Sequence, residues 1–230
     1  ITASIKTTYG GSTSPDDNDN SGTLKYVRIE FGGFQLATNQ EINGLTMGGV
    51  GRGTTIDYVQ CSFINDDAFE GFGGTVNCAH LVSYRGVDDE FDTDNGFSGS
   101  IQFALGVRDP QYADAVTGGE SNGFESDNDA AGSTNQPYTS AIFSNVTLVG
   151  PYRGSTSNTI ASQFKRSAFI RRNSRLKIIN SVLLDYPTGL FIKDAATITS
   201  ANAGTTLFAN NLVAGNQAGK VIDPTGWADS

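Results

Sequence analysis

Carboxylates dominate the residues of this chain that could do chemistry, and they recur at a fixed interval. Asn65-Asp66-Asp67-Ala68-Phe69-Glu70 returns 22 residues later as Val87-Asp88-Asp89-Glu90-Phe91-Asp92, which runs on into Thr93-Asp94-Asn95-Gly96. Asn122-Gly123-Phe124-Glu125-Ser126-Asp127 is a third version. If equivalent positions stack, Glu70, Asp92 and Glu125 form one column, and Asp94 and Asp127 form another. Stacked coils lie about 4.8 Å apart, a range at which like charges raise a carboxyl pKa or recruit a cation. Calcium suits such a site because it takes roughly six to eight oxygens from carboxylates and carbonyls on loops. The candidate ligands are Asp88, Asp89, Asp92 and Asp94. Asp17, Asp19 and Ser21 open a second acidic loop with EF-hand spacing, but Arg28 stands where that loop needs its bidentate Glu. The alternative to an ion is self-neutralisation. The second column continues through Arg172 to Asp194, with Lys165, Arg166, Arg171 and Arg175 close by in sequence, and a solvated, partly paired face would need no ligand.

Catalysis would use the same acids differently. Two carboxyls can serve as acid and base on a glycosidic bond, and Asp66-Asp67 with Asp92-Thr93-Asp94 superficially resembles the acidic motifs of polygalacturonases. The order is wrong, since the Asn-Thr-Asp-like segment should precede the Asp-Asp pair, and no Gly-His-Gly is present. The single histidine, His80, sits in a strand pattern and reads as a structural hydrogen-bonder. A lyase would also need a basic Arg or Lys beside its calcium carboxylates, for which Arg85 and the basic coil are available. Binding without cleavage needs exposed aromatics beside polar groups. Phe72, Tyr84, Arg85, Tyr112 and Tyr138 are the candidates, with Tyr152 and Trp227 also off the core pattern. Asn145-Val146-Thr147 spells a glycosylation sequon, but its place in a core-strand pattern makes it fortuitous.

The elements that must position these groups follow from the period. Leu24 to Phe31 alternates apolar and polar residues, and Ile56 to Phe63 repeats it, placing Val59 over Val27, Cys61 over Ile29 and Phe63 over Phe31. Leu81 and Ser83, Ile101 to Leu105, Ser144 to Leu148, Asn180 to Leu184 and Asn210 to Ala214 continue the series. A second apolar column holds Phe69, Phe91, Phe124, Phe169 and Phe191. Short strands that stack on near neighbours, without crossover helices, predict a right-handed parallel β-helix of about seven coils. Its period drifts from about 22 to about 36 residues through loop insertions. Residues 1–22 read as loop, 23–215 as stacked coils of a single domain spanning 1–230, and 216–230 as a tail. In this register Cys78 stacks on Ile56 and Cys61 under Ser83. The two thiols then lie about 16 Å apart, beyond the roughly 7 Å limit for a disulfide, and are expected to be free and buried.

Residues 19–33, the Asp88–Gly96 repeat, Asn122–Asp129 and Ile170-Arg171-Arg172-Asn173-Ser174 together resemble secreted or surface-attached right-handed β-helix proteins of Bacteroidota. That resemblance covers most of the chain. It implies an extracellular location and motifs that are structural rather than catalytic.

Composition agrees with a turn-rich β protein, with 28 Gly and 1 Met among 230 residues. A net charge of −9 argues against nucleic acid and anionic membranes as partners. No apolar run is long enough to span a bilayer. The chain starts at Ile1 and stops at Ser230 without a recognisable leader or cap, so flanking segments of a longer protein are expected. The reading is therefore a non-enzymatic secreted or cell-surface module that binds a glycan or another surface protein, or acts structurally. A polysaccharide lyase or glycoside hydrolase is the alternative from a different class.

Overall fold

The computed structural model describes residues 9–10, 14–37, 40–115 and 119–223. It is a right-handed parallel β-helix, as the period predicts. Thr23–Glu30 pairs in parallel with Thr55–Ser62, placing Val27 on Val59 and Ile29 on Cys61. Five more rungs follow, each made of two short strands: Cys78–Ala79 with Val82–Tyr84, Ser100–Gln102 with Leu105–Val107, Ile142–Ser144 with Thr147–Val149, Lys177–Ile179 with Val182–Leu184, and Leu207–Ala209 with Leu212–Ala214. These rungs form a sheet of 12 strands. A second sheet of 6 strands closes the coils, running from Leu45–Val50 through Phe69–Gly74, Phe91–Asp94, Phe124–Ser126 and Arg166–Ile170 to Thr188–Ile192. An antiparallel hairpin, Phe34–Ala37 with Gln40–Ile42, and one helix, Ala195–Asn202, are the other regular elements among the described residues.

The large sheet is divided by a bend. One residue between the two half-strands takes a left-handed conformation in every rung: Tyr26, Tyr58, His80, Phe103, Asn145, Asn180 and Asn210, with φ between 52 and 60°. Backbone bonds carry the ladder through it, as in His80 N–H to Gln102 O at 3.1 Å. A second left-handed column at the end of these strands holds Phe31, Phe63 and Arg85. Such a residue interrupts the two-residue alternation. Phe31 and Phe63, expected to stack in the core, do stack, with ring centroids 5.0 Å apart, but outside it, with 76% and 37% exposure. For the same reason Asn145 of the sequon is exposed rather than embedded in a core strand.

The interior is filled by the inward columns. Phe69 lies on Phe91 and Phe91 on Phe124, at 5.5 and 5.7 Å between centroids, with Phe143 packed edge-on against Phe124. Beyond Phe124 the register differs by one residue from the expected column. Ala168 and Leu190 continue the inward row, whereas Phe169 pairs with Glu125 and Phe191 with Phe169 on the outer face. Arg166 and Arg171 cover the Phe169 ring at 4.2 and 4.7 Å, so the cation faces, rather than the core, bury it. The inward apolar alternation therefore places Ile170 in the core and leaves Arg171 outward.

Cys78 sits on Ile56 and Cys61 under Ser83, both thiols free and buried. Burial pushes each up to about 12, leaving almost no thiolate at neutral pH. A thiol reagent such as DTNB should leave the native protein untouched at pH 8 and label two cysteines on unfolding. Fast labelling of the native state would contradict this core packing.

Candidate functional site

The acidic groups gather where the turn before each small-sheet strand stacks on the next. Asp67 and Asp89 hold these turns in register: Asp89 N–H donates to Asp67 Oδ1 at 2.9 Å, and Asn122 N–H donates to Asp89 Oδ1. Backbone bonds from Gly44 N to Asp67 O and from Ala68 N to Asp89 O run alongside. Stacking by 22 residues brings Asp66 and Asp88 together, and Glu70 beside Asp92.

Two groups of three carboxylates result, Asp66 with Asp67 and Asp88, and Asp67 with Glu70 and Asp92. In each, one oxygen per residue lies within 4.8 Å of the others, and Asp67 belongs to both. Asp66, Asp67 and Glu70 are at least nine-tenths buried. Asp66 Oδ2, Asp88 Oδ1 and Asp92 Oδ1 are buried without a hydrogen-bond partner, although unpaired buried acceptors are costly. Burial, followed by the charge of Glu41, pushes Asp66 up to about 7. Burial and Asp66 push Glu70 up to about 8, against the hydrogen bond it accepts from Asn43. Asp67, Asp88 and Asp92 are raised well above the carboxylate range, first by burial and then by neighbouring carboxylates, chiefly Asp88 for Asp67, Asp114 for Asp88 and Glu70 for Asp92. The arrangement must take up protons or a cation, and its all-oxygen, multidentate character suits a hard divalent ion such as calcium.

Further along the same outer face the charge is answered from within. Arg171 follows Asp127 in the column, with Nε 2.8 Å from Asp127 Oδ1 and Nη2 paired to Glu125. Arg172 also pairs with Asp127, while Asp194 accepts the Arg172 backbone N–H at 2.9 Å. The expected Asp-Arg-Asp ladder is thus present in altered form, with Arg171 taking the larger share.

Of the four metal candidates from sequence, Asp88 falls in the first group and Asp92 in the second. Asp89 spends an oxygen on Asn122, and Asp94 accepts the Asn95 N–H beside Phe72, so neither joins a group. The Asp17 loop docks on the Gly51–Thr54 turn, with Asp17 paired to Arg52 and Asp19 accepting from Ser21. The aromatic candidates are dispersed. Phe72 lies 6.1 Å from Tyr9, Tyr84 carries Arg85 at 5.2 Å, Tyr112 is exposed, and Tyr138 is covered by Arg175. Arg85 also pairs with Asp109 at 3.5 Å. Trp227 lies outside the described residues. His80 has the structural role expected, with Nδ1 2.8 Å from Asp57.

Comparison with known proteins fits this architecture. A family model described as a pectate-lyase like beta helix domain matches residues 2–223. The chain belongs to that family. No curated protein and no solved structure gave a significant match. Membership in this pectate-lyase-like family fits a polysaccharide-related function and leaves binding and catalysis undistinguished. No helix among the described residues is long and apolar enough to cross a membrane.

Proposed function

We propose that this β-helix is a secreted or surface-displayed module that holds calcium on its carboxylate face and binds an acidic polysaccharide through it, without cleaving the chain. The observation that carries this reading is the pair of carboxylate groups sharing Asp67, with three buried oxygens left unpaired. A divalent ion there would satisfy those oxygens and present open coordination positions to a uronate carboxylate. Extracellular calcium modules work at about 10⁻⁴ to 10⁻³ M, which suits a module displayed outside a cell.

Cleavage by elimination needs a base that can give up its proton. Arg171 and Arg172, the guanidiniums bordering this face, are both engaged by Asp127, and Glu125 and Asp127 hold Arg171 well above its usual range. Hydrolysis is the second reading, favoured by Glu70, which at about 8 stays protonated at neutral pH beside Asp92, as a general acid must.

Calcium titration by calorimetry into chelator-treated protein, followed by polygalacturonate binding with and without calcium, tests the proposal. Asp67→Asn keeps the hydrogen bond to Asp89 but removes the shared charge, and should lower both calcium affinity and uronate binding by at least about tenfold, or about 1.4 kcal/mol. Wild-type protein that takes up no calcium would sink the proposal. Reducing ends or unsaturated products from the same polymer would replace binding with catalysis.

A further inference from the structure

The left-handed column at the bend of the large sheet carries a second feature, on a different sheet from the carboxylates. In its last three rungs the residue is Asn145, Asn180 and Asn210, the side chain that tolerates this conformation best after glycine. In its first four rungs it is Tyr26, Tyr58, His80 and Phe103, and for the bulky Tyr26, Tyr58 and Phe103 the same φ is strained. These rings stack face to face at 4.9, 4.2 and 5.4 Å along the helix axis. They are not hidden: Tyr26 is 75% exposed, Phe103 50% and Tyr58 43%. Beside them runs a groove of about 300 Å³ whose lining includes Tyr26, Tyr58 and His80 with Arg28 and Gln60. Strain kept at three of four neighbouring rungs, where asparagine serves the fold elsewhere in the same column, calls for a use of the rings themselves.

We infer that this aromatic column and its groove form a calcium-independent binding site for a neutral oligosaccharide. The charges here are already answered, Lys25 by Asp57 at 3.1 Å and Arg28 by Glu30, so an uncharged ligand suits the groove. The inner rings cover one another and offer their edges, whose partial positive charge favours hydroxyl and ring oxygens. Tyr26, at the end of the column, offers a face for the apolar side of a pyranose. Asp57 is held low by His80 and Lys25 and accepts a hydrogen bond from His80 Nδ1–H at 2.8 Å, which leaves the Nε2 edge of the ring free to meet a sugar hydroxyl.

The test is binding of cellohexaose, xylohexaose and mannohexaose in the presence of EDTA, to the wild-type chain and to a Tyr58→Asn/His80→Asn variant. Asparagine is the residue the fold already uses in this column, so the variant should fold, with the loss of the part-buried His80–Asp57 bond as its main cost. Wild type should bind at least one hexasaccharide, the variant should bind it at least about tenfold more weakly, and calcium-dependent polygalacturonate binding should not change. If the double variant melts lower, Tyr26→Asn alone at the open end should show the same loss. Failure of the wild type to bind any of the three, or equal binding by the variants, would overturn the inference. A concentration-dependent dimer abolished by the substitutions would also overturn it, by assigning the rings to a second copy of the chain.

Discussion

In chelator, the protein should become less stable as the pH rises from about 5 to 8, and calcium should offset about half of that loss. The sign follows from linkage. Asp94, Asp66 and Glu70 are pushed up to about 6, 7 and 8, against unfolded values near 4, so over that range the folded state binds more protons than the unfolded one. A raised carboxyl contributes stability that is fully present below its unfolded pKa and lost as pH rises through its folded pKa. Asp57 and Asp129, held below the usual range by their hydrogen bonds, act in the opposite sense and lose their contribution on acidification. Metal-free stability should therefore peak near pH 4, about the unfolded carboxyl value, and already be falling at pH 5. With Asp66 and Glu70 each displaced by about three units, the loss to pH 8 should be on the order of 5 kcal/mol, or about 10 °C or more in Tm for a chain of this size. Calcium binds the ionised form, so at about 100 times its Kd it should restore about 2.7 kcal/mol at pH 8 and do little at pH 5. Thermal melts at both pH values with EDTA and with calcium measure all four corners. A metal-free Tm that is flat or rises across this interval would show that the buried acids find another partner.

The parts of this structure that were legible in sequence are those governed by a fixed step along the chain. The 22-residue repeat places Phe69 on Phe91, Cys78 on Ile56 and Cys61 under Ser83 because coils without insertions have no freedom to slip. Where the insertion at residues 150–163 intervenes, loop length no longer fixes the register, and Phe169 falls one position from its expected place, onto the outer face under two arginines. The bend was illegible for a different reason. A left-handed residue reverses the alternation without leaving a glycine to mark it, so Phe31 and Phe63, which the alternation placed in the core, are surface, as are Tyr26 and Tyr58 at the bend itself. Their signal lay in the column itself, since the equivalent position in later rungs is repeatedly asparagine. The carboxylate site was half legible. Reading ligands along one loop gathered Asp88, Asp89, Asp92 and Asp94, whereas the structure gathers them across two coils, adding Asp66, Asp67 and Glu70. The repeat already implied that pairing, because Asp66 and Asp88 hold the same position in successive coils.

Arg108→Met should be the most damaging single substitution, although it touches neither proposed site. Arg108, Glu90 and Tyr186 are fully buried, tying coils that are up to 96 residues apart in sequence. Arg108 Nε lies 2.6 Å from Glu90 Oε1, Nη1 donates to Gly86 O at 3.0 Å and Nη2 to Asn122 O, while Tyr186 OH donates to Glu90 Oε2 at 2.7 Å. The guanidinium thus joins the turn that precedes the acidic repeat to the turn that follows it. Removing it strands Glu90 in the interior with Tyr186 as its donor, a change that costs about 3–5 kcal/mol when one partner of a buried pair is lost. Gly86 and Asn122 also lose their donor, at about 1–3 kcal/mol for each carbonyl left unsatisfied. Burial holds Glu90 up to about 7 even with Arg108 beside it. Without that neighbour the carboxyl is pushed higher and folds as the neutral acid, so the penalty should be smaller at pH 5 than at pH 8. Arg108→Met combined with Glu90→Leu should recover part of the loss, since the uncompensated charge is gone and only the orphaned Tyr186 hydroxyl and the two carbonyls remain. Denaturant unfolding of both single variants and the double variant gives the coupling energy. A loss below about 1 kcal/mol for Arg108→Met, or strictly additive variants, would mean that the interior of this solenoid is held by its apolar columns alone.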